Sequence, residues 1–287
     1  MAVKSESQRV SLVGAGVNAL LSVVKFTCGI AAGSSALISD AVDSSADVVN
    51  SLIGFWGIRA SEKEADYDHE YGHERIECIA SIFLSALMFM SGAYIVYRSI
   101  AELVQGSSFE GNYLISAGAA LFSLAAKAVL CHFTKSAYLR SGSSALKAAY
   151  LNYRNDCFTE VAVVAGLAGA WFGLRWLDGV LSILLGAVII KSGAEVLKSA
   201  SDKLSDKACD SDTELMIRNL LLSVEGVKGI DMLKTRQFGS RIYIDAEIRV
   251  DGSLTLRESH TIAENAHDLI EHSMSEVKHI MIHVNPD

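Results

Sequence analysis

The sequence predicts a membrane protein in two parts, an all-α bundle of six transmembrane helices followed by a small α+β domain. Apolar residues make up 51% of the 287 residues, charged residues only 20%, and the mean hydropathy is +0.31. The only proline is Pro286, so no proline interrupts a helix upstream of it. The last 80 residues hold 14 Asp and Glu against 8 Lys and Arg, and five of the eight histidines. We therefore expect a transmembrane domain over residues 1–207 and a separate domain over residues 208–287.

Six stretches are long and apolar enough to span a bilayer, which takes about 20 mainly apolar residues in a helix. Six spans place both termini on one side of the membrane. Lysine and arginine concentrate in the segments on that side, so the positive-inside rule puts both termini in the cytoplasm. The predicted spans are residues 10–30, 36–58, 78–97, 113–134, 152–174 and 177–197.

The pattern after residue 208 is that of a small α+β domain. Apolar residues recur at helical spacing in two segments and alternate as in strands in the others. The order helix–strand–strand–helix–strand is typical of an α+β sandwich. The predicted elements are a helix over residues 211–223, strands over 227–237 and 241–250, a helix over 255–273 and a strand over 279–284.

Composition and motifs argue against several classes of function. The five cysteines are scattered and form no CxxC pair, so neither a disulfide framework nor a cysteine zinc site is expected. The acidic balance argues against nucleic acid as a partner. No phosphate-binding loop of the GxxxxGK[ST] kind appears, so we expect no nucleotide. The sequence shows no paired nucleophile and base, and we expect neither an enzyme nor a prosthetic group.

Charged side chains inside the predicted spans are the main functional signal, because a charge in a bilayer is costly and marks a functional site by default. Asp43 and Asp47 lie four residues apart in the second span, on one stripe of a helix. Asn152 and Asp156 repeat that spacing in the fifth span. If the two helices face each other, four oxygen-bearing side chains converge on a site suited to Mg²⁺, Ca²⁺ or Mn²⁺. The alternative is a set of polar residues at helix ends or facing a lumen, without an ion.

A second group of possible ligands lies in the loop between the second and third predicted spans. His69 and His73 are four residues apart, and Asp66 precedes His69 by three. A carboxylate and two imidazoles at this spacing can bind Zn²⁺ or a similar ion. A solvated acidic loop is the alternative.

The last 80 residues add three candidate ligands. Glu247 and His283 fall on predicted strands, and His260 falls on a predicted helix. These residues either bind a metal ion at a domain interface or are ordinary polar residues of the surface, and the sequence leaves both alternatives open.

Four segments together resemble the cation diffusion facilitator family. They are SSALISDAVDSSAD at residues 34–47, YGHERIE at residues 71–77, the Asn152 and Asp156 pair, and IHVNP at residues 282–286. Their order and spacing cover essentially the whole chain, as six spans followed by a ferredoxin-like cytoplasmic domain.

The resemblance implies a homodimer in the lipid bilayer that exports divalent transition metals from the cytoplasm, usually in exchange for protons. It implies a transport site built from Asp43, Asp47, Asn152 and Asp156. A loop site of some members would map to Asp66, His69 and His73. The metal positions of the cytoplasmic domain would map to Asp231, Glu247, His260, His283 and Asn285.

Asn152 stands where zinc exporters of the family carry a histidine. A donor set without imidazole shifts the expected cargo towards Mn²⁺, with Fe²⁺ or Zn²⁺ as alternatives. We therefore expect a metal/proton antiporter of the bacterial inner membrane that works by alternating access. A non-transporting metal sensor or assembly scaffold of the same fold is the rival hypothesis, and it predicts no metal flux.

Overall fold

The computed structural model describes residues 2–32, 35–105, 113–171 and 176–287. Within these ranges it leaves out the side chains of some helical residues, including those of Asp40 and Asp43. The chain divides into two compact units, Met1–Ala200 and Ser201–Asp287.

Six long helices form a bundle in the described part of the first unit. The predicted spans fall within them, except residues 172–174, which lie outside the described residues. The helices are α1 (Ala2–Ala32), α2 (Ser35–Ser61), α3 (Arg75–Gln105), α4 (Tyr113–Ser141), α5 (Ser144–Trp171) and α6 (Trp176–Leu204).

Four helical stretches in the described ranges are long and apolar enough to cross a membrane. The helices α2 and α5 have similar lengths, 27 and 28 residues, but carry charged side chains along the bundle interior. That α2 and α5 also cross the bilayer stays a prediction. The four stretches are Ser7–Ala31, Arg75–Ala101, Ala117–Ser141 and Gly179–Leu204.

The bundle buries charged and polar side chains beside its apolar clusters and exposes large apolar side chains on its outside. Asn18 and Lys25 are at most 1% exposed, whereas Trp56, Phe83 and Met90 are more than 60% exposed. Water-soluble proteins place charged residues at the surface. A hydrocarbon environment accounts for the reversal, since it solvates the apolar exterior and drives charged groups to pair within the bundle.

One end of the bundle gathers the ends of several helices. Gln8, near the start of α1, hydrogen-bonds to Glu62, which follows α2. The carboxylate of Glu77 at the start of α3 accepts the backbone N–H of Ala145 in the first turn of α5 at 3.2 Å. The loop of residues 62–74 therefore lies at the end where α1, α3 and α5 begin.

Helices α4 and α5 form a tight hairpin at this same end. Only Gly142 and Ser143 connect them. Gly142 has φ 63°, the left-handed conformation that glycine adopts without strain. Its N–H donates to the carbonyl oxygen of Tyr138 at 2.9 Å and closes the last turn of α4.

The second unit is a three-stranded sheet with two helices on one face, as the sequence pattern predicts. The strand order is β1-β2-β3, with β1 antiparallel and β3 parallel to β2. Apolar residues of the helices and of β2 form the core, among them Ile217, Ile244 and Ile270. The elements are α7 (Ser211–Leu222), β1 (Gly229–Phe238), β2 (Arg241–Val250), α8 (Leu256–Ser273) and β3 (Val277–Pro286).

Candidate metal centre

Two carboxylates in the bundle interior are bridged by a lysine. Lys127 of α4 donates from its ammonium to Oδ2 of Asp47 in α2 at 2.8 Å, and the same Nζ lies 3.0 Å from Oδ2 of Asp156 in α5. The three side chains are between 6% and 19% exposed. Helices α2 and α5 therefore present their carboxylates to each other, and a cation holds the two groups together.

Asn152 joins this group through its amide nitrogen. Its Nδ2 donates to Oδ1 of Asp47 at 3.1 Å and to Oδ2 of Asp156 at 3.4 Å. The sequence pattern predicts an oxygen ligand at this position, and the structure turns the other end of the amide towards the carboxylates. To offer Oδ1 to a cation, the amide has to turn over about its Cβ–Cγ bond.

The fourth predicted ligand of this site is Asp43. It lies one turn before Asp47, and α2 is helical through both positions, so they share a face of the helix. The side chain of Asp43 lies outside the described residues.

A chain of hydrogen bonds fixes the backbone of α2 beside the site. Ser51 donates to the carbonyl oxygen of Asp47 at 2.8 Å, and its Oγ lies 3.0 Å from the hydroxyl of Tyr153 in α5. Asn18 of α1 donates to the same Oγ at 3.3 Å. The Oδ1 atom of Asn18 is buried and receives no hydrogen bond from any described residue. A cavity of about 20 Å³ beside Asn152 and Tyr153 has room for about one water.

A second buried ion pair lies one turn further along α5. Glu160 follows Asp156 by four residues, and its Oε1 lies 2.6 Å from the ammonium of Lys25 in α1. The two side chains are 4% and 1% exposed. This pair joins α1 to α5 as Lys127 joins α4 to α2 and α5.

The loop after α2 brings together its three predicted ligands. The ligand atoms of Asp66, His69 and His73 lie within 4.8 Å of one another. Nδ1 of His73 donates to the carbonyl oxygen of Glu64 at 3.2 Å, which turns Nε2 towards Asp66, 3.5 Å from its Oδ2. A hydrogen bond from Lys63, followed by those from His69, holds the pKa of the Asp66 carboxyl well below its usual range. The three side chains that the sequence pattern singles out therefore lie together, with Lys63 paired to the carboxylate.

The predicted ligands of the second unit lie on two sides of the sheet. Glu247 and His283 are register partners on β2 and β3. His260 lies on α8, on the helix-covered side, and pairs with a glutamate of its own helix. On the open face, the amide of Asn285 donates to Asp231 at 3.0 Å and to Glu247 at 3.2 Å. A single chain therefore does not bring His260 to the other two candidates.

Lys127 contacts the carboxylates of Asp47 and Asp156, but the spacing of oxygen-bearing residues that predicts the metal ligands does not include it. It is the only charged residue of the fourth predicted span, residues 113–134. A lone charge in an apolar span is itself a functional signal. Its pairing with carboxylates on two other helices requires knowledge of which helices are neighbours.

Comparison with known proteins decides the family. Residues 11–205 match the cation efflux transmembrane domain, and residues 209–287 match the cytoplasmic domain of cation efflux proteins. The chain belongs to the cation efflux family. This confirms the resemblance to the cation diffusion facilitators. The cation efflux protein is therefore an integral membrane transporter of divalent metal cations. Its second unit matches the cytoplasmic domain of the family and has the helix–strand–strand–helix–strand order.

Individual relatives of this cation efflux protein align over nearly their full length. It is 32% identical to the uncharacterized transporter YdbO of Bacillus subtilis, over 93% of this chain and 91% of that protein. It is 28% identical to the manganese efflux system protein MneS of the same organism, over 96% and 94%. The solved C-terminal domain of MamM is 22% identical over 26% of this chain and 96% of that domain, with a TM-score of 0.26.

Proposed function

We propose that this cation efflux protein is a homodimeric metal/proton antiporter that exports Mn²⁺, with Fe²⁺ or Zn²⁺ as alternative cargo. One observation carries the proposal: carboxylates of α2 and α5 converge in the bundle interior, where both contact the ammonium group of Lys127. Asp47, Asn152 and Asp156 form the transport site, and Asp43 is its fourth ligand.

The chemistry of the donors supports Mn²⁺ as cargo. The side chains gathered here offer carboxylate oxygens and, once the amide of Asn152 has turned over, an amide oxygen. Such donors suit Mn²⁺, whereas zinc sites commonly include histidine or cysteine. The similarity to MneS, a manganese efflux protein by name, points the same way.

The buried carboxylates also supply the proposed coupling to protons. Two carboxylates in a low-dielectric interior need a positive partner, which a metal ion or protons can provide. When the site faces the cytoplasm it binds the metal, and when it faces outward the external protons compete for the oxygens and release it. The proposal includes the orientation that the positive-inside rule predicts, with both termini in the cytoplasm and the protein in a bacterial inner membrane.

Metal flux into proteoliposomes with an imposed pH gradient tests the proposal. Mn²⁺, Fe²⁺ (kept anaerobic), Zn²⁺ and Cd²⁺ are compared in the wild type, in Asp47→Ala and in Glu195→Gln. Glu195 is an exposed carboxylate of α6 and serves as the matched control. We expect gradient-dependent Mn²⁺ flux that Asp47→Ala abolishes and Glu195→Gln preserves.

Each other outcome corrects a defined part of the proposal. Flux that ignores the pH gradient indicates a channel. Zn²⁺ as the best wild-type cargo keeps the transporter and overturns the argument from the donor set. No flux of any metal from a folded dimer favours the sensor or scaffold.

A further inference from the structure

The position of Lys127 bears on how the transport site works. Its ammonium lies where a cation would bind, in contact with one oxygen of Asp47 and one of Asp156. The lysine comes from α4, whereas the four predicted ligands of the transport site come from α2 and α5. The side chain is 6% exposed, so these two carboxylates, not water, solvate its charge.

The ammonium and a metal cargo exclude each other. A divalent ion binds carboxylate oxygens at about 2.0–2.6 Å, so an ion on these two oxygens takes the space of Nζ. Repulsion between the two positive charges at such a distance adds to the steric conflict. Binding of cargo to both carboxylates therefore requires the ammonium to leave them.

We propose that Lys127 is a tethered competitor of the cargo, a cation of the protein's own that holds the carboxylates between transport events and is displaced by the metal. The inference rests on the proposed function, because it takes Asp47 and Asp156 as metal ligands. A tethered competitor weakens cargo binding and speeds cargo release, since the ammonium returns to the same oxygens. It also favours divalent cargo, because a singly charged ion gains no more from the carboxylates than the ammonium it must displace.

A purely structural ion pair is the alternative, and Lys25 provides the comparison. Like Lys127, Lys25 is a buried lysine of the bundle whose ammonium contacts a carboxylate of α5. Its partner Glu160 is not among the predicted ligands. The double variant Lys25→Met/Glu160→Gln replaces both partners of this pair with neutral side chains, and is the matched control.

The test measures Mn²⁺ binding and Mn²⁺ flux on the full-length protein. Equilibrium binding to purified protein and flux in proteoliposomes are compared in the wild type, Lys127→Met, Lys127→Gln and the control. We expect both Lys127 variants to bind Mn²⁺ about tenfold more tightly, the gain that follows if the ammonium leaves the carboxylates free about a tenth of the time, and to turn over more slowly. The control keeps the wild-type affinity. Lys127→Gln retains a polar donor for the carboxylates and provides the measurement if Lys127→Met does not fold.

Failure of the competitor hypothesis and failure of the proposed function give different results. Unchanged or weaker Mn²⁺ binding by folded Lys127 variants, with normal wild-type flux, overturns the competitor and leaves the transporter standing. Absence of wild-type flux, or normal flux in Asp47→Ala, overturns the proposed function itself. An equal gain of affinity in the control shows that loosening the bundle, not removal of a competitor, causes the effect, and also overturns the inference.

Discussion

The ammonium of Lys25 lies 2.6 Å from a carboxylate oxygen of Glu160, and this pair ties α1 to α5 in the bundle interior. Removing one partner of a buried ion pair leaves a charge in a low-dielectric interior and costs about 3–5 kcal/mol, whereas replacing both partners is often neutral. We expect Lys25→Met to lower the unfolding temperature in detergent markedly. The double variant Lys25→Met/Glu160→Gln should recover most of that loss, and a double variant as unstable as the single one contradicts the prediction.

Exchange of Asn152 for histidine should change the choice of metal. An imidazole at this position adds a nitrogen donor that zinc accepts readily, so the ratio of Zn²⁺ to Mn²⁺ flux in Asn152→His should rise by about an order of magnitude. Flux of the two metals is measured in parallel in proteoliposomes. Asn155→His places the same ring on the side of α5 where Asn155 accepts a hydrogen bond from Ser192 of α6, and should leave the ratio unchanged. A wild-type ratio in Asn152→His rules out this position as a selectivity determinant.

The cluster of Asp66, His69 and His73 in the loop after α2 should bind one metal ion per chain independently of the bundle site. His73→Ala removes the imidazole that the carbonyl group of Glu64 orients, so we expect it to lose one bound Zn²⁺ per chain in equilibrium dialysis. Asp68→Asn changes an exposed carboxylate of the same loop outside the cluster and is the control. Equal stoichiometry in the wild type and His73→Ala would show that the cluster is a polar loop without a metal.

Acid should loosen the cytoplasmic domain at the turn after β2. The hydroxyl of Ser253, the backbone N–H of Ser253 and the ammonium of Lys228 lower the pKa of Asp251 to about 2. Because the pKa is lower in the folded chain, the stabilisation is complete above the unfolded-state pKa of 3.8 and is lost as pH falls towards 2.

Hydrogen exchange of the peptides that cover residues 228–251 measures this loss. Asp251→Asn should exchange faster than the wild type near neutral pH, and the difference should disappear as the pH approaches 2. A difference that persists at pH 2 assigns the effect to the shape of the side chain and not to its charge.

The features of the site that depend on local spacing were predictable from the sequence. Asn152 and Asp156 lie on one face of α5 because four residues make about one helical turn. The pairing of Asp156 with Lys127 depends on which helices are neighbours and at what depth their residues meet, and no pattern within one helix reports either.

The cytoplasmic domain shows the same limit. Alternation of apolar residues predicted β2 over residues 241–250, which is the range observed. It could not place Asp231, which lies at a break in the register between Ile230 and Met232. It also could not predict that His260 and His283 lie on opposite sides of the sheet, because the tertiary fold determines which face of the sheet the helices cover.

Because only two residues connect α4 to α5, a change in the angle between the two helices at this turn produces larger displacements further along them. Lys127 lies 14 residues before the end of α4, a distance of about 21 Å along the helix axis. If α4 rotates by about 5° relative to α5 at this turn, Lys127 moves about 2 Å relative to Asp156, because the displacement grows with distance from the turn. A shift of that size away from Asp156 stretches the 3.0 Å contact beyond hydrogen-bonding distance. Small angular changes at one end of the bundle are therefore enough to open or close the cation position.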